Sequence, residues 1–244
     1  MTAPVIILDN VDLQFPKLKG ILSVIKDKLT KKTTSFPALK KIELKVNSGE
    51  VFGLIGKNGS GKSTILRVIS GIYPPDAGQC KVTGSISLLA GLGTGFSGHQ
   101  TGVENALLYG SILGHNENEM REMLPEIIQF SELGEFIDEP IRTYSAGMKA
   151  RLGLAVATAI KPDILLIDEV LGVGDPQFRE KSKGRILSLV EKTGTVVIVS
   201  HSFGLMKDIC DRVGVVDKGE IVMIGTPEEA FAAYYALDEG ESND

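Results

Sequence analysis

Residues 56–64 read Gly-Lys-Asn-Gly-Ser-Gly-Lys-Ser-Thr, and no other stretch limits the possible folds of this chain as tightly. The run fits G-x-x-x-x-G-K-[ST], with Gly56, Gly61, Lys62 and Ser63 at the fixed positions. Residues 51–55 before it are short and apolar, as in a buried strand; residues 65–69 after it open a helical pattern. That strand–loop–helix context gives the motif its meaning, since an ordinary Gly-rich turn needs neither flank. Glycines let the backbone curl so that its N–H groups face phosphate oxygens, and the helix N-terminus adds partial positive charge. Gly56, Asn58, Gly59, Ser60, Gly61, Lys62, Ser63 and Thr64 are therefore the candidate nucleotide contacts. Lys62 is suited to bridging the β- and γ-phosphates, and the Ser63 hydroxyl to ligating Mg²⁺. The implied ligands are ATP and Mg²⁺.

Composition narrows the setting. A length of 244 residues allows one large domain, or one domain with a subdomain. A net charge of −5 argues against a general nucleic-acid binder. Cys80 and Cys210 share no metal or redox spacing and read as packing residues in a reducing compartment. No apolar run approaches the ~20 residues of a membrane span, and no signal peptide is evident, so the expected location is cytosolic.

Residues 5–8 and 42–46 read as strands, 85–90 as a weaker one, and 93–160 as mainly helical. The continuous apolar runs ending at Asp168 and Ser200 mark central parallel strands. Residues 212–217 and 220–224 flank Lys218-Gly219 as a hairpin. The acidic residues 238–244 are expected to be disordered. The pattern predicts an α/β core with a helical insert.

Asp168 and Glu169 follow four apolar residues downstream of the phosphate loop. An acid at the end of such a strand holds Mg²⁺ in P-loop enzymes, and Asp168 fits that role. Glu169, one residue on, suits polarisation of an attacking water. His201 ends a second central strand and reads as a γ-phosphate sensor, although a lone histidine is more often a surface group. Ser145-Ala146-Gly147 opens a helix at 145–157: Ser145 is a good cap, and a Ser-x-Gly at a helix start suits a second anion site.

These parts, in this order, resemble the ATP-binding-cassette ATPases over residues 5–230. Gly56 to Ser63 matches the Walker A loop, Asp168 and Glu169 the Walker B aspartate and catalytic glutamate, and residues 144–148 the signature. Asp175 matches the D-loop aspartate and His201 the switch histidine. The resemblance implies a P-loop NTPase (RecA-like) core with an antiparallel β subdomain and an inserted α-helical subdomain. The implied single cassette, 1–244, places the core at 1–92 and 161–230, the helical part at 93–160 and an acidic tail at 231–244. It also implies a head-to-tail homodimer in which Ser145 and Gly147 of one chain reach the γ-phosphate held by Lys62 of the other. Catalysis would rest on Glu169, His201 and Lys62. Hydrolysis would move transmembrane permease subunits at the cytosolic face of the membrane, with no nucleic acid involved.

Three departures narrow the resemblance. Ala146 and Met148 replace the usual signature Gly and Gln, residues 168–175 lack the usual Pro-Thr-Ser-Ala-Leu stretch, and Gly91 stands where a glutamine is customary. All three look like exporters of polysaccharide, O-antigen and teichoic acid-type polymers, which implies a lipid-linked glycan as cargo. Competing expectations are a soluble cassette ATPase and a P-loop kinase. A single cassette and the absence of a heptad run disfavour the first, and the signature disfavours the second.

An insertion between Phe15 and Phe36 carries Leu18, Ile21, Leu22, Ile25 and Leu29 at helical spacing with six lysines. It reads either as an amphipathic helix near anionic headgroups or as a helix packed on its own domain. The insertion also separates two candidates for the adenine-stacking aromatic; Phe15 is preferred over Phe36.

Overall fold

The computed structural model describes residues 3–16, 35–90, 93, 95–168 and 176–241. The basic insertion, Gly91, Glu169 and Asp175 lie outside the described residues. The chain forms two compact units, one of residues 1–48, 52–83 and 199–244, the other of 49–51 and 84–198.

In the first unit, β1 (Pro4–Pro16) pairs antiparallel with β2 (Ser35–Asn47) and with β4 (Ala77–Val82), in the order β2-β1-β4. Both long strands exceed the short runs expected from alternation, and the reason is visible in their burial. In β1 the buried side chains are Ile6 and Leu8, then Val11 and Leu13, so the parity flips. The flip falls at a register shift, where Asn10 takes φ 49°. β2 flips between Leu39 and Ile42, with Lys41 at φ 44°. One extra residue in each strand keeps the same face apolar while defeating a simple period of two. The Lys41 N–H donates to Asp12 Oδ1 at 3.1 Å, fixing the two irregularities against each other.

Also in this unit, β3 (Val51–Ile55) runs parallel to β8 (Arg212–Asp217), which turns through Lys218-Gly219 into antiparallel β9 (Glu220–Gly225). The described residues of this unit also form the helices α1 (Lys62–Ile69), α6 (Phe203–Ile209) and α7 (Pro227–Glu241). The acidic end is thus helical as far as Glu241, in place of the expected disorder. Thr226 and Glu229 close a reciprocal cap: the Thr226 N–H donates to Glu229 Oε2 (2.8 Å) and the Glu229 N–H to Thr226 Oγ1 (3.4 Å). Pro227 then occupies the first helical position, where a missing N–H costs nothing.

In the second unit, β5 (Ile86–Leu89), β6 (Ile164–Asp168) and β7 (Thr195–Val199) lie in the order β5-β6-β7. β6 and β7 are buried along their apolar runs, as strands covered on both faces must be. The Asp163 carboxylate accepts from the Ser85 N–H and Oγ, each at 2.8 Å, and aligns the starts of β5 and β6. These bonds hold the Asp163 carboxyl below its usual pKa.

The α-helices among the described residues of the second unit are α2 (Gly102–Ile112), α3 (Glu117–Ser131), α4 (Ala146–Ala159) and α5 (Pro176–Lys192). Reciprocal caps at Thr101/Glu104 and Asn116/Glu119 start α2 and α3. Glu132, in the left-handed region after α3, accepts from Lys181 of α5 at 2.5 Å and from Arg151 of α4 at 3.3 Å. One carboxylate therefore ties three helices together. No helix among the described residues is long and apolar enough to cross a membrane.

Candidate nucleotide-binding site

The phosphate loop leaves β3 at Ile55 and enters α1 at Lys62. Two of its glycines are required, one by contact and one chiefly by its backbone angle. A Cβ on Gly56 would lie 2.1 Å from the Val216 carbonyl oxygen, and Gly56 has φ 153°. Gly61, with φ 115°, has the Ala38 oxygen and Leu39 Cδ2 3.1 Å from where a Cβ would stand. Asn58 and Gly59 form the exposed crown, while Ser60 and Lys62 are buried.

Lys62 turns back into its own loop. Its Nζ donates to the Gly56 carbonyl at 2.7 Å and to the Lys57 carbonyl at 2.9 Å. An ammonium has three donors and no acceptor, and burial makes each unmet donor costly. The loop thus keeps a cation at its centre, on two of its own carbonyls. Ser63 and Thr64 stand in the first turn of α1, whose first intrahelical bond runs from the Ile65 N–H to the Gly61 oxygen at 2.9 Å.

A backbone relay fixes the loop from outside. The Ser60 N–H donates to the Lys57 carbonyl (3.1 Å), the Gly219 N–H to the Ser60 carbonyl (2.9 Å), and the Lys40 N–H to the Gly219 carbonyl (2.8 Å). The β8–β9 turn and β2 therefore brace the loop. The Lys57 ammonium also meets Asp238 Oδ1 of α7 at 2.9 Å, a contact that sequence reasoning misses. No local motif announces it, because the partners lie far apart in the chain.

Phe15 is half-buried, with its ring edge-on to Tyr73 at 5.4 Å between centroids. Phe36 lies opposite it in register and is 53% exposed. His201 is exposed between β7 and α6, and Phe203 two residues on packs against Phe231, Tyr234 and Tyr235 of α7.

The second unit carries the other candidates. Asp168 ends β6, less buried than the four apolar residues before it. Ser145 caps α4: its Oγ accepts from the Met148 N–H at 3.2 Å, and the residue is exposed. Gly147 has open space beside it, since a Cβ there would come no closer than 3.8 Å to its nearest neighbour, Ser145 Oγ. Tyr144 anchors the approach to this cap by donating its hydroxyl to the Phe136 carbonyl at 2.5 Å. Burial, reinforced by Asp138 and Glu139, raises the Tyr144 pKa to about 12. The two units thus each hold part of the expected set: the phosphate loop, Phe15 and His201 in one, Asp168, Ser145 and Gly147 in the other.

Residues 39–172, more than half of the chain, match the family described as ABC transporter. The chain belongs to the ABC transporter family. The cassette is 48% identical to the O-antigen export system ATP-binding protein RfbB of Myxococcus xanthus, over 81% of its own length and 45% of that protein's. It is 40% identical to the RfbB protein of Klebsiella pneumoniae over 95% of its length and 97% of the relative's. It is 41% identical to the teichoic acids export ATP-binding protein TagH of Enterococcus faecalis, covering 91% of this chain and 48% of that one. The cassette therefore spans less than half of two of these relatives and nearly all of the third. Its fold is that of the ATP-binding cassette MJ0796, whose dimeric post-hydrolysis structure bound to ADP and Pi matches with a TM-score of 0.71 at 23% identity, over 91% of this chain and 98% of that one. The expected P-loop α/β fold is the one found.

Proposed function

We propose that this cassette is the ATP-hydrolysing subunit of an exporter of lipid-linked polysaccharide, of the O-antigen, capsule or teichoic acid type. The observation that carries the nucleotide reading is the phosphate loop, with the Lys62 ammonium buried at its centre on two backbone carbonyls. A triphosphate offers that cation charged acceptors, and hydrogen bonds between charged groups are roughly twice as strong as neutral ones. The cargo reading rests on the resemblance to the RfbB and TagH proteins and on the three sequence departures that look like those of polymer exporters.

In this account Lys62 and the amides of residues 56–64 hold the phosphates, and Phe15 lies against the base. Its edge-on contact with Tyr73 keeps the ring oriented while leaving a face for stacking. Ser63 and Asp168 supply a hydroxyl and a carboxylate, oxygen donors of the kind Mg²⁺ prefers. The metal, when bound, neutralises charge on the transferring phosphoryl group. Glu169 accepts a proton from the attacking water, and His201 positions that water against the γ-phosphate. Asp175 lies at the junction of two copies. The helix start at Ser145 and Gly147 reaches the triphosphate bound by a second copy, so each site is completed by dimer closure. Closure and reopening drive permease subunits at the cytoplasmic face of the plasma membrane.

Glu169→Gln in the native host tests the whole reading. The expected result is an ATP-bound dimer that does not turn over, with a lipid-linked polymer accumulating on the cytosolic side. Unchanged polymer export in that strain would refute the export reading, whatever the purified cassette does with ATP.

A further inference from the structure

Apart from the groups assigned to nucleotide, the second unit holds a cavity of about 150 Å³ among α3, α4 and α5. Arg185, Ser188 and Lys192 reach it from α5 at i, i+3 and i+7, the spacing that puts side chains on one face of a helix. Lys161, just past the end of α4, adds a third cation. Among the described residues, Glu126 of α3 is the one carboxylate in the lining. Three cations therefore face one carboxylate, on a chain whose net charge is −5.

The protein's own groups do not use up that positive charge. Arg185 is half-buried, and its Nη2 donates to the Glu126 carboxylate and, at 3.2 Å, to the Thr158 carbonyl in the last turn of α4. The negative end of α4 thus already has its cation. The Arg185 Nε–H is buried with no acceptor among the described residues, so the donors of the guanidinium are not all met. Lys161 and Lys192 are exposed and form no ion pair among the described residues. Lys192 stands in the last turn of α5, where the helix end accounts for one cation but not for the convergence of three.

We propose that this cavity binds inorganic phosphate as its hydrogen-phosphate dianion. Lys161, Arg185 and Lys192 supply charged donors, and the Ser188 hydroxyl a neutral one. The dianion keeps one proton, and the Glu126 carboxylate, which has lone pairs beyond its bond to Arg185, accepts it. Sulfate carries no such proton. A phosphate monoester, with its second pKa near ~6, has largely lost its own above neutral pH. The acceptor therefore sets the free ion apart from both. A cavity of about 150 Å³ admits one such ion but not a whole nucleotide, whose pockets start at ~300 Å³.

The test is calorimetric titration of inorganic phosphate into the full chain at mildly alkaline pH, after the phosphate loop has been filled with a non-hydrolysable ATP analogue. Binding is expected, and it should weaken at high salt. The double variant Lys161→Gln, Lys192→Gln changes two exposed side chains and should lower the affinity by about 5- to 30-fold. Lys183→Gln, an exposed position of α5 outside the cavity, should leave it unchanged. Sulfate and glycerol 3-phosphate should each bind at least ~10-fold more weakly than phosphate, the loss expected for one hydrogen bond to a charged group. Absence of phosphate binding overturns the proposal. Wild-type affinity in the double variant does so too, since the ion would then be held elsewhere. Sulfate or glycerol 3-phosphate binding as tightly as phosphate also overturns it, because Glu126 would then play no part in recognition. Failure of the ATP analogue to bind would count against the nucleotide reading alone, since the double variant still decides the phosphate site.

Discussion

At the scale of the residue, the start of α4 separates structural from chemical roles. Ser145 is both a helix cap and the proposed contact to a partner's triphosphate. Ser145→Ala should cost about 1 kcal/mol of stability, the usual value of a lost cap, in denaturant unfolding of the nucleotide-free protein. Gly147→Ala meets open space in the single chain, so its melting temperature should stay unchanged while ATP turnover falls at least ~10-fold through obstruction of closure. Equal turnover in Gly147→Ala would remove Gly147 from the dimer site. Tyr144 offers a pH readout. Its folded pKa, about 12, lies above the ordinary value of 10.0, so the neutral phenol is favoured by folding. The contribution is complete below pH 10 and lost as pH rises from there through 12. Subtracting the unfolding free energies of Tyr144→Phe and the wild-type chain should give a difference flat from about pH 7 to 9 and changing only above pH 10. The phosphate loop is legible in the sequence because phosphate chemistry fixes residue types at fixed spacing. The contact of Lys57 with Asp238 is not, because two ordinary charged residues carry no pattern.

At the scale of the element, the long strands and the last helix show where pattern reading stops short. Residues 5–8 and 42–46 alternate cleanly, and each clean run ends where an extra residue reverses the parity of β1 or β2. Asn10 takes the positive φ that this bulge requires. Asn10→Val should therefore destabilise the chain by about 1–2 kcal/mol, and Asn10→Gly should be close to neutral, in matched urea titrations. Similar losses for both would mean that the Asn10 side chain, bonded to Asp9, matters more than the backbone angle. Charge alone makes the C-terminal end look like a disordered acidic tail, yet it forms α7. The cap at Thr226 and Glu229 and the aromatic stripe against Phe203 outweigh the charge, and both features are in the sequence once the helix is phased from Pro227.

At the scale of the whole molecule, the described residues of each compact unit carry part of the set of groups that phosphoryl transfer needs. The first has the loop and His201; the second has Asp168 and the Ser145 cap. In the proposed account Asp168 serves the loop of its own chain, and only the Ser145 cap serves the loop of a second copy. The polymer-export relatives suggest what closure of the two copies is used for. Because positioning and charge stabilise the phosphoryl transition state, loss of the proposed general base should reduce turnover by about 10²–10⁴-fold and spare binding. The most direct measurement is light scattering on the purified Glu169→Gln chain with and without Mg²⁺-ATP, alongside phosphate release. The account predicts a monomer without nucleotide, a stable dimer with it, and almost no phosphate released. A chain that stays monomeric at saturating Mg²⁺-ATP, or that hydrolyses ATP as fast as the wild-type protein, would contradict it.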